Sequence, residues 1–212
     1  MRSRHPLPVG FAALAAALLL GGCFTGKRPS FIQPDTDPTG DAAVDHVLEL
    51  LESPASGTFT ATYDILAKYG GATFAATVSR DDTRSSVTVG DVRFLEGPQG
   101  TQTCTVSTGV CETGLNDASI SDTGVLHTFP KEAAADRLRR EQSTATAAGE
   151  AFEATIADQQ ADCVKVTSAG GGSQFCALDS GWLALEDVAE VNIKMTTFTP
   201  AATEALFSPS GA

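Results

Sequence analysis

From Asp41 to Glu52 the chain reads DAAVDHVLELLE, with Val44, Val47, Leu48 and Leu51 three and four residues apart and Asp45, Glu49 and Glu52 elsewhere on the surface. That spacing predicts an amphipathic helix, capped by Asp41 or Thr39 and ended by SPASG. His46 lies beside the apolar stripe with no partner nearby in sequence, which reads as a structural histidine. Beyond this helix the period shortens to two. GTFTATYDI places Phe59, Ala61, Tyr63 and Ile65 on one face, and after KYGG the run ATFAATVSR does the same with Phe74, Ala76 and Val78. RSSVTVGDVRFLEG alternates through Val87, Val89, Val92 and Phe94 around a tight turn or bulge at Gly90-Asp91, and TQTCTVSTGVCETG supplies a strand and its return. These are signatures of antiparallel hairpins. The polar connection LNDASISDTGVLHTF leads to Pro130, which suits a first helical turn, so a second helix is predicted over 130–145. AFEATI, DCVKVTS, SQFCAL, GWLAL and EVNIKMTTF return the chain to strands, with Gly170 to Gly172 as a hairpin loop.

The first 22 residues follow a different rule. Arg2 and Arg4 precede an uncharged Ala/Leu-rich run that is broken by Gly10 and closes on Gly21-Gly22. A membrane span needs about 20 consecutive apolar residues, so the run reads as an export signal. Leu20-Gly21-Gly22-Cys23 resembles the lipobox of bacterial lipoproteins, in which cleavage before the cysteine exposes a thiol for acylation. The resemblance implies that Cys23 becomes a lipidated N-terminus (palmitate or a related acyl group), with each buried methylene adding roughly 0.8 kcal/mol of membrane affinity. The expected organisation is a signal peptide over 1–22, a lipidated tether over 23–40, one domain over 41–200 and a tail over 201–212. The expected location is extracytoplasmic, at the cell membrane.

Charge narrows the partners. The full chain carries a formal charge of −12, which becomes −14 once Arg2 and Arg4 leave with the signal. Such a balance argues against nucleic acid and against broad adhesion to anionic lipid. Arg137, Arg139 and Arg140 form the one basic cluster, which reads as a solvated helix face or as a contact for headgroups or an acidic partner. Cys104, Cys111, Cys163 and Cys176 make an even set in an exported chain, so disulfides are expected. Of the three pairings, Cys104 with Cys111 and Cys163 with Cys176 are favoured, because each pair flanks a turn-rich segment. The spacings do not suit zinc, and DTDPTGD at 35–41 starts like a calcium loop but lacks the glutamate at its twelfth position, so no metal is expected.

The order of elements resembles the lipoprotein-localisation carrier fold and its relatives among glycolipid-carrying actinobacterial envelope lipoproteins. The Ala-, Thr- and Gly-rich, lysine-poor usage also resembles a high-GC bacterium. The resemblance implies an α+β single domain in which a curved antiparallel sheet, half-barrel-like, packs with two helices. Phe59, Tyr63, Phe74, Val78, Val89, Phe94, Phe175 and Trp182 would then face its concave side, lining an acyl-binding cavity if it is hollow or forming the core if the helices fill it. No nucleophile stands beside a base: VLHTF around His127 carries no G-x-S-x-G, and the carboxylates of Asp81-Asp82 and Glu186-Asp187 sit at expected turns. The reading is therefore a non-catalytic envelope lipoprotein without a cofactor that holds an acyl chain or lipid in the concavity of its sheet. The alternative is a surface interaction or sensor module that binds a protein partner around a solid core.

Overall fold

A computed structural model of the chain describes residues 37–54 and 56–210. The signal segment, Cys23 and nearly all of the tether lie outside the described residues. Among the described residues no helix is long and apolar enough to cross a membrane.

Helix α1 spans Ala42–Glu52, and the Asp41 carboxylate accepts hydrogen bonds from the amides of Ala43 and Val44, which have no partner inside the helix. Its stripe of Val44, Val47, Leu48 and Leu51 is buried. Six strands follow: β1 (Phe59–Ala67), β2 (Ala72–Arg80), β3 (Ser85–Val89), β4 (Val92–Gly97), β5 (Gly100–Thr105) and β6 (Val110–Thr113). Helix α2 spans Glu132–Ser143, and the chain then makes β7 (Glu150–Ile156), β8 (Gln159–Ser168), β9 (Gly171–Leu178), β10 (Leu183–Asp187) and β11 (Val191–Thr199). All eleven strands form one sheet in the order β6-β5-β4-β3-β2-β1-β11-β10-β9-β8-β7. Two antiparallel meanders thus meet where β1 pairs with β11. The alternation read in β1 places Phe59, Ala61, Tyr63 and Ile65 in the core, and Gly90, in the left-handed region, lets Val89 turn directly onto Val92.

Two segments carry structure that periodicity does not predict. Residues Asp117–Thr123, within the polar connection, form 3-10 turns with a kink at Ile120, capped by the Asn116 side chain. They carry Ile120 into the core, where Val125 and Phe129 join it. Single apolar residues dip inward from a polar background, so no period marks them. Helix α2 also begins two residues after Pro130, whose carbonyl instead accepts from the Leu183 amide. The segment after Thr199 makes a 3-10 turn over Glu204–Phe207 and packs on the sheet face opposite the helices. Thr60 bonds the Ala201 carbonyl, Arg93 bonds that of Ser208, and Arg84 pairs with both Asp81 and Glu204 while stacking on Phe207. Hydrogen bonds from the Thr83 amide and the Arg84 side chain hold the Asp81 carboxyl down to about 2.

The cysteines pair as favoured. Cys104 is bonded to Cys111 across β5–β6 and Cys163 to Cys176 across β8–β9, each pair directly opposed in the register. The bridges close short loops, with sequence separations of 7 and 13. Removing either is expected to lower the unfolding free energy by about 2–3 kcal/mol, slightly more for the longer loop. Urea unfolding of Cys104→Ala/Cys111→Ala and Cys163→Ala/Cys176→Ala variants, each against the parent, measures this.

Candidate functional site

The helices and the 3-10 segment cover one face of the sheet. Of the residues expected on the concave side, Phe59, Tyr63, Val78, Val89, Phe94, Phe175 and Trp182 are buried and Phe74 is partly buried. All belong to or pack against one apolar cluster that includes Val44 and Leu48 of α1, Ala134 and Leu138 of α2, and Ile120 and Phe129 between β6 and α2. The Tyr63 ring meets the edge of Phe129 at 5.1 Å, and its hydroxyl, pushed far up by burial, donates to the Leu183 carbonyl at 3.0 Å. Phe59 lies 4.6 Å from the Trp182 ring and 5.5 Å from that of Phe198. Side chains of the protein itself therefore fill the concavity.

The three arginines of α2 go to different places. Arg137 reaches inward to Glu186, whose side chain is fully buried on β10, at 2.7 Å, and also donates to the Gly124 carbonyl. Burial raises the Glu186 carboxyl while Arg137 opposes that rise, and the second oxygen of Glu186 has no hydrogen-bond partner among the described residues. Arg139 forks onto Glu52 of α1 and donates to the Asp37 carbonyl. The Arg140 guanidinium is exposed and takes no hydrogen bond among the described residues. Lys131, just before α2, is buried with its amine 2.8 Å from the Gly181 carbonyl and 5.3 Å from the centre of the Trp182 ring; desolvation pushes its pKa down.

Both described histidines have carboxylate partners that local sequence does not reveal. His127 bonds Asp117 through Nδ1 at 2.9 Å and packs on Phe94, and His46 Nε2 lies 2.9 Å from Asp162, more than a hundred residues away. Neither imidazole is bonded to a serine, threonine or cysteine side chain among the described residues. No group of three or more potential metal ligands occurs among the described residues either. Glu186 belongs to the same class of partner. It sits on the inward face of β10 rather than at a turn, and only the register of the sheet places it under α2.

Open clefts lie at the margins of this solid centre. The β4–β5 hairpin and Phe207 border one of about 350 Å³. A second, of about 460 Å³, runs between the first turns of α1 and β7, the outermost strand on that side, with Ala42, Ala43 and His46 on one wall and Phe152, Glu153 and Asp162 on the other.

A long antiparallel sheet wrapped on one side by helices is also the architecture of a solved protein, MucB. The chain shares its fold with MucB. The two superpose with a TM-score of 0.51 at 15% identity, over 78% of this chain and 62% of that one. The chain thus spans less than two thirds of the MucB chain. The MucA/MucB complex from Pseudomonas aeruginosa gives a TM-score of 0.49 at 15% identity, covering 78% and 60% of the two chains. An uncharacterized conserved protein from Thermus thermophilus gives 0.42 at 11% identity, covering 77% and 91%. No family model matches the sequence, and no curated protein does.

Proposed function

We propose that this chain is an extracytoplasmic envelope protein, held at the membrane by acylation of Cys23, that binds a protein partner through its surface and performs no catalysis. The filled concavity carries this reading. Phe59, Tyr63, Phe129 and Phe175 are between 0 and 2% exposed behind α1 and α2, so an acyl chain could enter only by displacing the core. Such displacement would undo the close packing from which most of the stability derives. Two disulfides support an oxidising compartment, and the lipobox-like Leu20 to Cys23 supports the anchor.

Native mass spectrometry of a soluble form starting at Phe24, exported in a related host and measured before and after mild organic extraction, tests the reading. The expected result is the apoprotein mass corrected for two disulfides. A lipid mass that is lost on extraction would overturn the solid-core reading in favour of a carrier. Mass analysis of the full chain recovered from membranes tests the anchor, which requires an N-terminal acylated Cys23.

A further inference from the structure

We propose that the outer edge of β7 is the docking surface, and that it takes an extended, lysine- or arginine-rich segment of a partner protein as a twelfth strand. This rests on the partner-binding reading above and gives that reading a place and a chemistry. β7 is seven residues long, pairs on one side with β8 and, among the described residues, has no strand on the other. An edge of that length presents a row of unpaired amides and carbonyls, which commonly serves as a template for an added strand. The opposite edge, β6, is four residues long.

The surroundings of β7 select the occupant. Beside the strand lies the cleft bounded by α1, where Ala42 and Ala43 on one wall and Phe152 on the other offer an apolar seat for a side chain of the incoming strand. Phe152 is 39% exposed, as few large apolar side chains of this domain are. Around that seat the charge is almost all negative. Glu150 and Glu153 fall on opposite faces of β7, Asp162 lies behind it on β8, and Glu49 follows His46 by one turn on the same face of α1. The nearby lysine is engaged, with Lys165 3.8 Å from Glu150, and the His46 ring is bonded to Asp162. Two copies of such an edge repel each other, whereas a basic strand is attracted on both of its faces. The acidic residues thus guard the edge against self-pairing and leave it open to a cationic partner.

The probe is an acetylated heptapeptide alternating lysine and valine, titrated into the exported chain starting at Phe24 with both disulfides formed and followed by amide NMR shifts. Controls are the glutamate-valine heptapeptide and a lysine-valine version N-methylated at alternate residues. The proposal expects saturable shifts confined to residues 150–156 and the start of α1. It also expects affinity weakened by about tenfold or more in Glu150→Lys/Glu153→Lys and with the methylated peptide, and unchanged in Glu112→Lys on β6. Absence of saturable binding, equal binding of the glutamate peptide, or shifts centred on β6 overturn it. So would concentration-dependent dimerisation through β7, which makes a second copy the occupant. Protection of the β7 amides in the chain starting at Phe24 but not in the one starting at Asp37 would assign the edge to the upstream segment instead. Photo-crosslinking on intact cells from positions 152, 110 and 140 separates the two readings. Partner crosslinks only from 110 or 140 remove the edge but keep the partner; no crosslinks from any position remove both.

Discussion

Replacing Arg137 with alanine is expected to lower the unfolding free energy by about 3–5 kcal/mol, because it strands a carboxylate that the fold has removed entirely from water. Among the described residues Glu186 has no other charged hydrogen-bond partner, and one of its oxygens is already unpaired. The loss should depend on pH in a definite direction. Burial raises the Glu186 pKa above its unfolded value, and removing Arg137 raises it further. A carboxyl of that kind prefers its proton in the folded state, so the deficit is largest above the folded pKa and shrinks as pH falls through it toward the unfolded value near 4.5. Urea denaturation of the variant and parent at neutral pH and at mildly acidic pH checks both magnitude and sign. The double variant Arg137→Met/Glu186→Leu should recover most of the loss, since an apolar pair of similar size removes the charge along with its partner. A loss that is the same at every pH, or that the double variant retains in full, would show that packing of the Arg137 stem and not its charge is what matters.

The second large effect is expected at Gly181, in the turn between β9 and β10. Its φ of 81° lies in the left-handed region, and a Cβ there would stand 2.5 Å from Ser53 Oγ, 2.6 Å from the Leu50 carbonyl oxygen and 2.9 Å from Lys131 Nζ. The conformational penalty for a side chain is about 1–2 kcal/mol, and overpacking adds about 1–3 kcal/mol because one obstacle is helix backbone that cannot swing aside. Gly181→Ala should therefore cost about 2–5 kcal/mol. Gly90→Ala, at a turn with the same handedness but with open space around it, should cost only the conformational part. Thermal or urea unfolding of the two variants side by side reads the difference. Equal losses would mean that the end of α1 yields to the added methyl.

Helix α1 and the strands were legible in sequence from their period and punctuation, and α2 from Pro130 after a polar connection. Val44, Val47, Leu48 and Leu51 mark α1, and alternate residues from Phe59 to Ile65 mark β1. The disulfide pairing was legible for a similar reason, as each pair straddles a turn. What sequence did not reveal has two causes. Ile120 dips inward singly from a polar background, while Glu186 and Asp162 acquire their roles from the sheet order, which brings together segments that are far apart in the chain. The C-terminal segment is another case. It has no apolar period, yet its carbonyls and Phe207 satisfy Arg93 and Arg84 on the outer face of the sheet. The acidic strand β7 was visible as AFEATI, but that it forms the border of the sheet was not.

The pairing of β1 with β11 has a further meaning for how the molecule comes into being. Each meander can zip up by adding neighbouring hairpins, a local and rapid process. The seam that unites them instead joins residues such as Thr60 and Thr199, which are separated by almost the whole length of the domain. Closing so long a loop carries a large entropic cost before any contact rewards it, so the seam is expected to form late and slowly. In half-sheets not yet joined, Tyr63 and Met195, partners across that seam, would have their apolar faces open to water. A chain of this topology is most vulnerable to aggregation just before its last strand arrives.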